Sequence, residues 1–174
     1  MTIRKILTEP DPFLRQKSEK VEEVNKEIRS LMDDMLETMY NAPGIGLAAI
    51  QVGVPKRVIV IDLSRDDEDK KPFYFVNPEI INNSNNNTAY EEGCLSVPGQ
   101  FAEINRPDKC EIKYLDYNGK EQILSASGLL ATCIQHEIDH LEGILFIDYL
   151  SKLKKNMIVK KLSKQKKSLE RIVV

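Results

Sequence analysis

Histidine is nearly missing from this chain: His136 and His140 are the whole supply among 174 residues. A metal site built from three imidazoles is thereby excluded, and any third protein ligand has to be a carboxylate or a thiolate. Cysteine is scarce as well, with Cys94, Cys110 and Cys133 its only positions. Long apolar runs are absent, as is an apolar secretory segment at the N-terminus, so the sequence predicts no membrane partner, a cytoplasmic location and reduced thiols. In that setting Asn82-Asn83-Ser84 and Asn86-Asn87-Thr88 match a glycosylation pattern but mean only a polar loop. Neither a repeat nor a second unit breaks the chain. At 41% apolar content its 174 residues can bury one sizeable core, and we expect a single domain spanning 1–174.

The two histidines stand in His136-Glu137-Ile138-Asp139-His140. Residues four apart on a helix share a face, so both rings can reach one metal ion while Glu137 stands beside the water such an ion would hold. Among the cysteines, Cys110 lies in the alternating run from Lys109 to Leu115, where a small buried thiol is expected, and we discount it. Cys133 precedes His136 by one helical turn and is a geometric possibility. Cys94 sits in the glycine- and proline-punctuated segment from Glu91 to Gly99, whose backbone can approach an ion closely. Spacing does not choose between these two.

Three segments together do. Gly44-Ile45-Gly46-Leu47-Ala48-Ala49-Ile50-Gln51, then Glu91-Glu92-Gly93-Cys94-Leu95-Ser96, then Gln135-His136-Glu137-Ile138-Asp139-His140 resemble the three motifs of the peptide deformylases, in that family's order. The resemblance runs from Asp11-Pro12 to Asp148-Tyr149-Leu150-Ser151. It implies that Cys94, His136 and His140 bind the metal, that Glu137 is the catalytic acid and base, and that Gln51 and the Leu95 backbone N–H form an oxyanion hole. It also implies that Ile45 and Gly46 contact the substrate and that Glu92 pairs with Arg106 to steady the Cys94 segment. An exposed ion pair of small worth is the alternative for that pair. One departure stands out: many similar deformylases carry an arginine where this chain has Phe101, which bears on how the peptide beyond its first residues is held.

The chemistry of those residue types agrees. Formamide hydrolysis needs a nucleophile at neutral pH, stabilisation of a tetrahedral oxyanion and a proton for the leaving amine. A divalent metal lowers the pKa of its water from about 16 toward 7 and can polarise the formyl oxygen. Glu137 can move the proton, and the Gln51 amide can face the developing charge. A His2Cys set suits zinc, cobalt, nickel or iron, and the resemblance implies Fe2+. Because the family acts on nascent chains that begin with formylmethionine, the side chain to be recognised is methionine, an unbranched thioether suited to an apolar slot. Leu129, Thr132 and Cys133, on the turns before His136, and Tyr90, before the cysteine motif, are the expected lining. Core packing is the alternative for each.

Gly44, Gly46 and Ala49, with Asp62 downstream, mimic a dinucleotide-binding fingerprint. That fingerprint needs a preceding strand, whereas Val24, Ile28, Leu31, Met32, Met35, Leu36 and Met39 recur at a helical period. After this amphipathic helix we expect strands at 57–63 and 73–77 with a charged loop at 64–71 between them. An Asn-rich loop then leads to the cysteine motif, and a hairpin follows, with 110–115 and 121–124 around Asp116-Tyr117-Asn118-Gly119. The metal helix should run over 127–142 and stop at Gly143. The expected fold class is α+β, with antiparallel or mixed sheets around a central metal helix, an N-terminal amphipathic helix and a C-terminal basic one.

Charge is unevenly placed. Residues 151–174 hold nine Lys or Arg against one Glu, a net of +8, which against a whole-chain −2 leaves −10 on the first 150 residues. Leu153, Met157, Ile158, Leu162 and Leu169 give this tail, 152–174, a narrow apolar stripe. A solvated surface helix is one reading. Docking on ribosomal RNA phosphates, without recognition of a nucleic-acid sequence, is the other. Two rival functions share parts of the pattern: an H-E-x-x-H metallopeptidase, which leaves the Cys94 and Gln51 motifs unexplained, and a noncatalytic ribosome-binding relative.

Overall fold

The computed structural model describes residues 1–65 and 68–172. Three α-helices, α1 (Lys26–Asn41), α2 (Gly128–Leu141) and α3 (Lys152–Ile172), accompany seven strands. The strands are β1 (Gly46–Ala48), β2 (Val58–Ile61), β3 (Phe73–Asn83), β4 (Asn87–Cys94), β5 (Val97–Pro107), β6 (Lys109–Leu115) and β7 (Glu121–Ser127). One sheet has the order β1-β2-β3-β6-β7 and the other is the β4–β5 hairpin. Among the described residues every strand pairing is antiparallel, and an isolated parallel bridge joins Glu19 to Lys56. The class is α+β, as the patterning predicts.

β2 explains how the helices are arranged. All four of its residues are buried, and successive side chains leave a strand on opposite faces. Val58 and Val60 join Met32, Met35 and Met39 of α1 in one apolar cluster. Ile59 and Ile61 join Ala131, Ile134 and Leu141 of α2 in a second. The large sheet is thus covered on both faces, and α2 lies deep in the molecule. Its C-terminus is set by Gly143, which has φ +76° and lies so close to the Arg15 carbonyl that a Cβ would collide with it. At the other end of the chain order, the α1 N-terminus is capped by the Asn25 side chain, which accepts from the Ile28 N–H at 3.0 Å.

A third cluster joins Val97 and Ile104 of β5 to Leu145, Phe146 and Ile147 and to Leu162 of α3. The apolar stripe of α3 is therefore divided: Leu162 is buried, with Ile158 and Val159 packed beside it, while Leu153, Met157 and Leu169 are exposed.

Strand extents depart from the sequence reading where tertiary pairing outweighs local propensity. β3 continues past Asn77 to Asn83, because its far half pairs with β6 through Asn83 and Cys110. Much of the Asn-rich stretch is consequently strand rather than loop. β5 runs through Pro98 and Gly99, residues that read as turn, because it pairs along β4 from Asn87–Pro107 to Cys94–Val97. β7 reaches Ser127, three residues beyond the expected end, in register with Lys109.

Candidate metal centre

α2 presents His136, Glu137 and His140 on its buried face. The His136 ring donates through Nδ1 to Glu92 Oε2 at 2.8 Å, which leaves Nε2 as the ring nitrogen open to a metal ion. Glu92 in turn receives Arg106 in a two-pronged pair at 2.6 and 3.0 Å. Arg106 also reaches Asp139 at 2.8 Å and lies over the Tyr149 ring, 4.9 Å from its centroid. Both Glu92 and Arg106 are buried, so the exposed-pair alternative does not describe them. The sequence missed Asp139 and Tyr149 as members of this network, since nothing in their spacing points toward Arg106.

Cys94 ends β4, and its Sγ lies 3.3 Å from His140 Nε2. Among the described residues the sulfur and one nitrogen from each imidazole lie within 4.8 Å of one another. It is Cys94, not Cys133, that joins the pair. Gln51 completes the floor. Its Oε1 accepts from the Ala48 N–H at 2.9 Å, which fixes the amide orientation and turns Nε2 toward Ser96 Oγ at 3.0 Å and Cys94 Sγ at 3.5 Å. Ser96, fully buried, escaped the sequence reading although it stands inside the cysteine motif. Leu95 occupies the turn between β4 and β5.

This donor set fits a tetrahedral metal ion. Ligand bonds of ordinary length would hold sulfur and nitrogen about 3.5 Å apart, close to the separation of Cys94 Sγ and His140 Nε2. Glu137 Oε2 and His140 Nδ1 are buried and have no hydrogen-bond partner among the described residues. Gly46 leaves room for the carboxylate: a Cβ built there would stand 2.5 Å from Glu137 Oε1.

Burial raises the Glu137 carboxyl to about 7, with the Glu92 and Asp139 charges adding to it against His136 and Arg106. Burial holds His140 well below the ordinary imidazole value, helped by His136, Arg106 and Arg15. For His136 burial acts the same way but is outweighed by hydrogen bonds to Cys94 and Glu92, and its value rises. The Glu92 carboxyl is held low because His136 and Arg106 outweigh its burial. Burial pushes the Cys133 thiol up to about 12 and that of Cys110 to about 11, which disfavours the thiolate at both.

A cavity of about 450 Å³ opens onto this centre. The four expected lining residues, Tyr90, Leu129, Thr132 and Cys133, border it, and so do Ile45 and Gly46. Phe101 borders it too and is 66% exposed at the rim.

The sequence model of the family described as polypeptide deformylase matches residues 3–156. Over 174 residues the chain is 68% identical to the peptide deformylase of Pelagibacter ubique, covering 100% of each. Among solved structures, the peptide deformylase of Ehrlichia chaffeensis superposes with a TM-score of 0.91 at 45% identity, over 96% of this chain and 98% of that one. The same enzyme in complex with actinonin gives 0.91 at 47% identity, over 95% and 98%. With a family match across most of its length and a relative alike from end to end, the chain belongs to the peptide deformylase family of enzymes.

Proposed function

We propose that this protein hydrolyses the N-terminal formamide of formylmethionyl nascent chains, releasing formate and a peptide that begins with methionine. The observation that carries this reading is the convergence of Cys94, His136, Glu137 and Gln51 on one cavity, with the His140 ring beside the Cys94 sulfur. Cys94, His136 and His140 would hold a divalent cation. We take it to be ferrous iron, in a donor set that also accepts zinc, nickel or cobalt. When bound, such a cation supplies an acidified water and polarises the formyl oxygen.

The protein's own groups do the rest. Glu137, with a carboxyl near 7, takes a proton from the attacking water as its oxygen bonds to the formyl carbon. The Gln51 Nε2–H and the Leu95 backbone N–H donate to the oxyanion as the carbonyl becomes tetrahedral. Collapse breaks the C–N bond, and Glu137 returns its proton to the departing nitrogen. Glu92, held by Arg106, keeps the His136 ring from turning. The peptide backbone would lie along Ile45 and Gly46, with the methionine side chain among Tyr90, Leu129, Thr132 and Cys133.

The test is an anaerobic assay of formate release from formyl-Met-Ala-Ser, with metal content measured on the same sample. Formate in proportion to bound metal is expected. A fully loaded protein that releases none would overturn the proposal, and cleavage of unformylated peptides would favour a metallopeptidase.

We further read residues 1–174 as one catalytic domain working in the cytoplasm; none of the described helices is long and apolar enough to cross a membrane. Its tail, 152–174, is a ribosome-docking element. Lys160, Lys161, Lys164 and Lys167 are exposed on α3, where RNA phosphates attract them.

A further inference from the structure

Thr132 carries a buried hydroxyl that finds no hydrogen-bond partner among the described residues. The residue is only 3% exposed, and it borders the cavity together with Tyr90, Leu129 and Cys133. A threonine inside a helix can return its hydroxyl to the carbonyl one turn back. Thr38 does so, donating to the Asp34 carbonyl at 2.6 Å. Thr132 does not, so its donor is unmatched in the free protein, which is unfavourable, and a turn of the side chain would offer it to an occupant of the cavity.

Distance says what that is. Thr132, His136 and His140 follow one another at intervals of four along α2 and so share a face. Four residues advance a helix by about 6 Å. In a formylmethionyl chain the thioether sulfur stands five bonds from the formyl carbon, also about 6 Å when extended. A substrate whose formyl group lies at the proposed centre beside His136 can therefore bring its sulfur level with Thr132. Thioether sulfur is a weak acceptor, and the rest of this wall, Leu129 with Tyr90 and Cys133, is largely apolar.

We propose that Thr132 Oγ1 donates a hydrogen bond to the substrate's thioether sulfur and so separates methionine from aliphatic side chains of equal length. The inference rests on the deformylase reading above and deepens it. An apolar slot alone measures length and bulk. A hydroxyl in that wall, once turned toward the sulfur, adds a test for an acceptor at one position along the side chain.

Norleucine, which has a methylene in place of the sulfur, supplies the control. The experiment measures kcat/KM for formyl-Met-Ala-Ser and formyl-norleucyl-Ala-Ser with the metal-loaded wild type and with Thr132→Val, Thr132→Ala and Thr132→Ser. The Met-to-norleucine ratio is expected to fall about five- to tenfold in the two variants without a hydroxyl, the size of one modest hydrogen bond, and to be retained by Thr132→Ser. Thr132→Val should melt at or above the wild-type temperature, since it removes a donor that is unmatched in the free protein. A ratio unchanged in both hydroxyl-free variants overturns the inference while leaving the deformylase reading intact. Wild-type protein that releases formate from neither peptide overturns that reading and this inference with it.

Discussion

Gly46 determines how closely the β1 backbone approaches the Glu137 carboxylate. With a Cβ at this position standing 2.5 Å from Oε1, Gly46→Ala must push one of the two aside. A displacement of about 1 Å in the group proposed to move the proton can cost roughly 100-fold in rate. We expect kcat for formate release to fall on that order while the thermal melt moves little, because the adjoining cavity can take up the shift; wild-type kcat in this variant would refute the role given to Gly46. At this scale the sequence was informative where helix geometry does the work. His136, Glu137 and His140 are neighbours on α2 because a four-residue spacing becomes adjacency on a helix. The choice between Cys94 and Cys133 was not legible from spacing. Cys133 lies near in sequence, whereas Cys94 lies 46 residues from His140 and reaches it through a hairpin. Nor could residue types show that the Ala48 N–H orients the Gln51 amide.

The β4–β5 hairpin meets α2 through Glu92, Arg106 and Asp139, all joined at hydrogen-bonding distance. Taking away one partner of a buried ion pair leaves the other charge uncompensated, at a cost of about 3–5 kcal/mol. Arg106→Met should therefore destabilise the protein by about that amount in denaturant unfolding. It should also weaken metal retention, since Glu92 would no longer be fixed against His136. Stability within 1 kcal/mol of wild type would show that the network adds little. The α-helices were legible as elements because their apolar periods are long and regular. The two hairpin strands were not, since Gly93, Pro98 and Gly99 carry turn character and the pairing that overrides them lies between residues as distant as Asn87 and Pro107.

Across the whole molecule, Asp148 ties the two ends of the chain together. It pairs with Arg15 at 2.6 Å and with Lys155 of α3 at 2.7 Å, and it accepts from the Leu145 N–H at 3.0 Å. Burial opposes its charge, but these partners outweigh burial and hold the carboxyl below its ordinary 3.8. A folded value below the unfolded one contributes stability that is complete above the unfolded pKa and is lost as pH falls through the folded one. Asp148→Asn should thus cost about 1–2 kcal/mol at pH 7, after discounting for its partial exposure, or several degrees in Tm. That gap should hold down to about pH 4 and close at lower pH; melts recorded across this range check it, and a gap independent of pH would contradict it. The uneven charge was plain in composition, but not which residues of the tail's apolar stripe are buried, because Leu162 finds its partners in β5 and in the 146–149 turn. Cutting off 152–174 would bare that cluster and confuse docking with folding. The cleaner variant is Lys160→Glu with Lys164→Glu and Lys167→Glu, expected to weaken salt-sensitive ribosome binding while hydrolysis of a small formyl peptide is unaffected. Equal ribosome affinity would end the docking proposal.

The sulfur of Cys94 rides on the hairpin, and both imidazoles ride on α2. Seating one element on the other and completing the proposed ligand set are consequently a single event. A half-folded chain offers an ion two grips instead of three, so capture of the cation reports that the fold has closed.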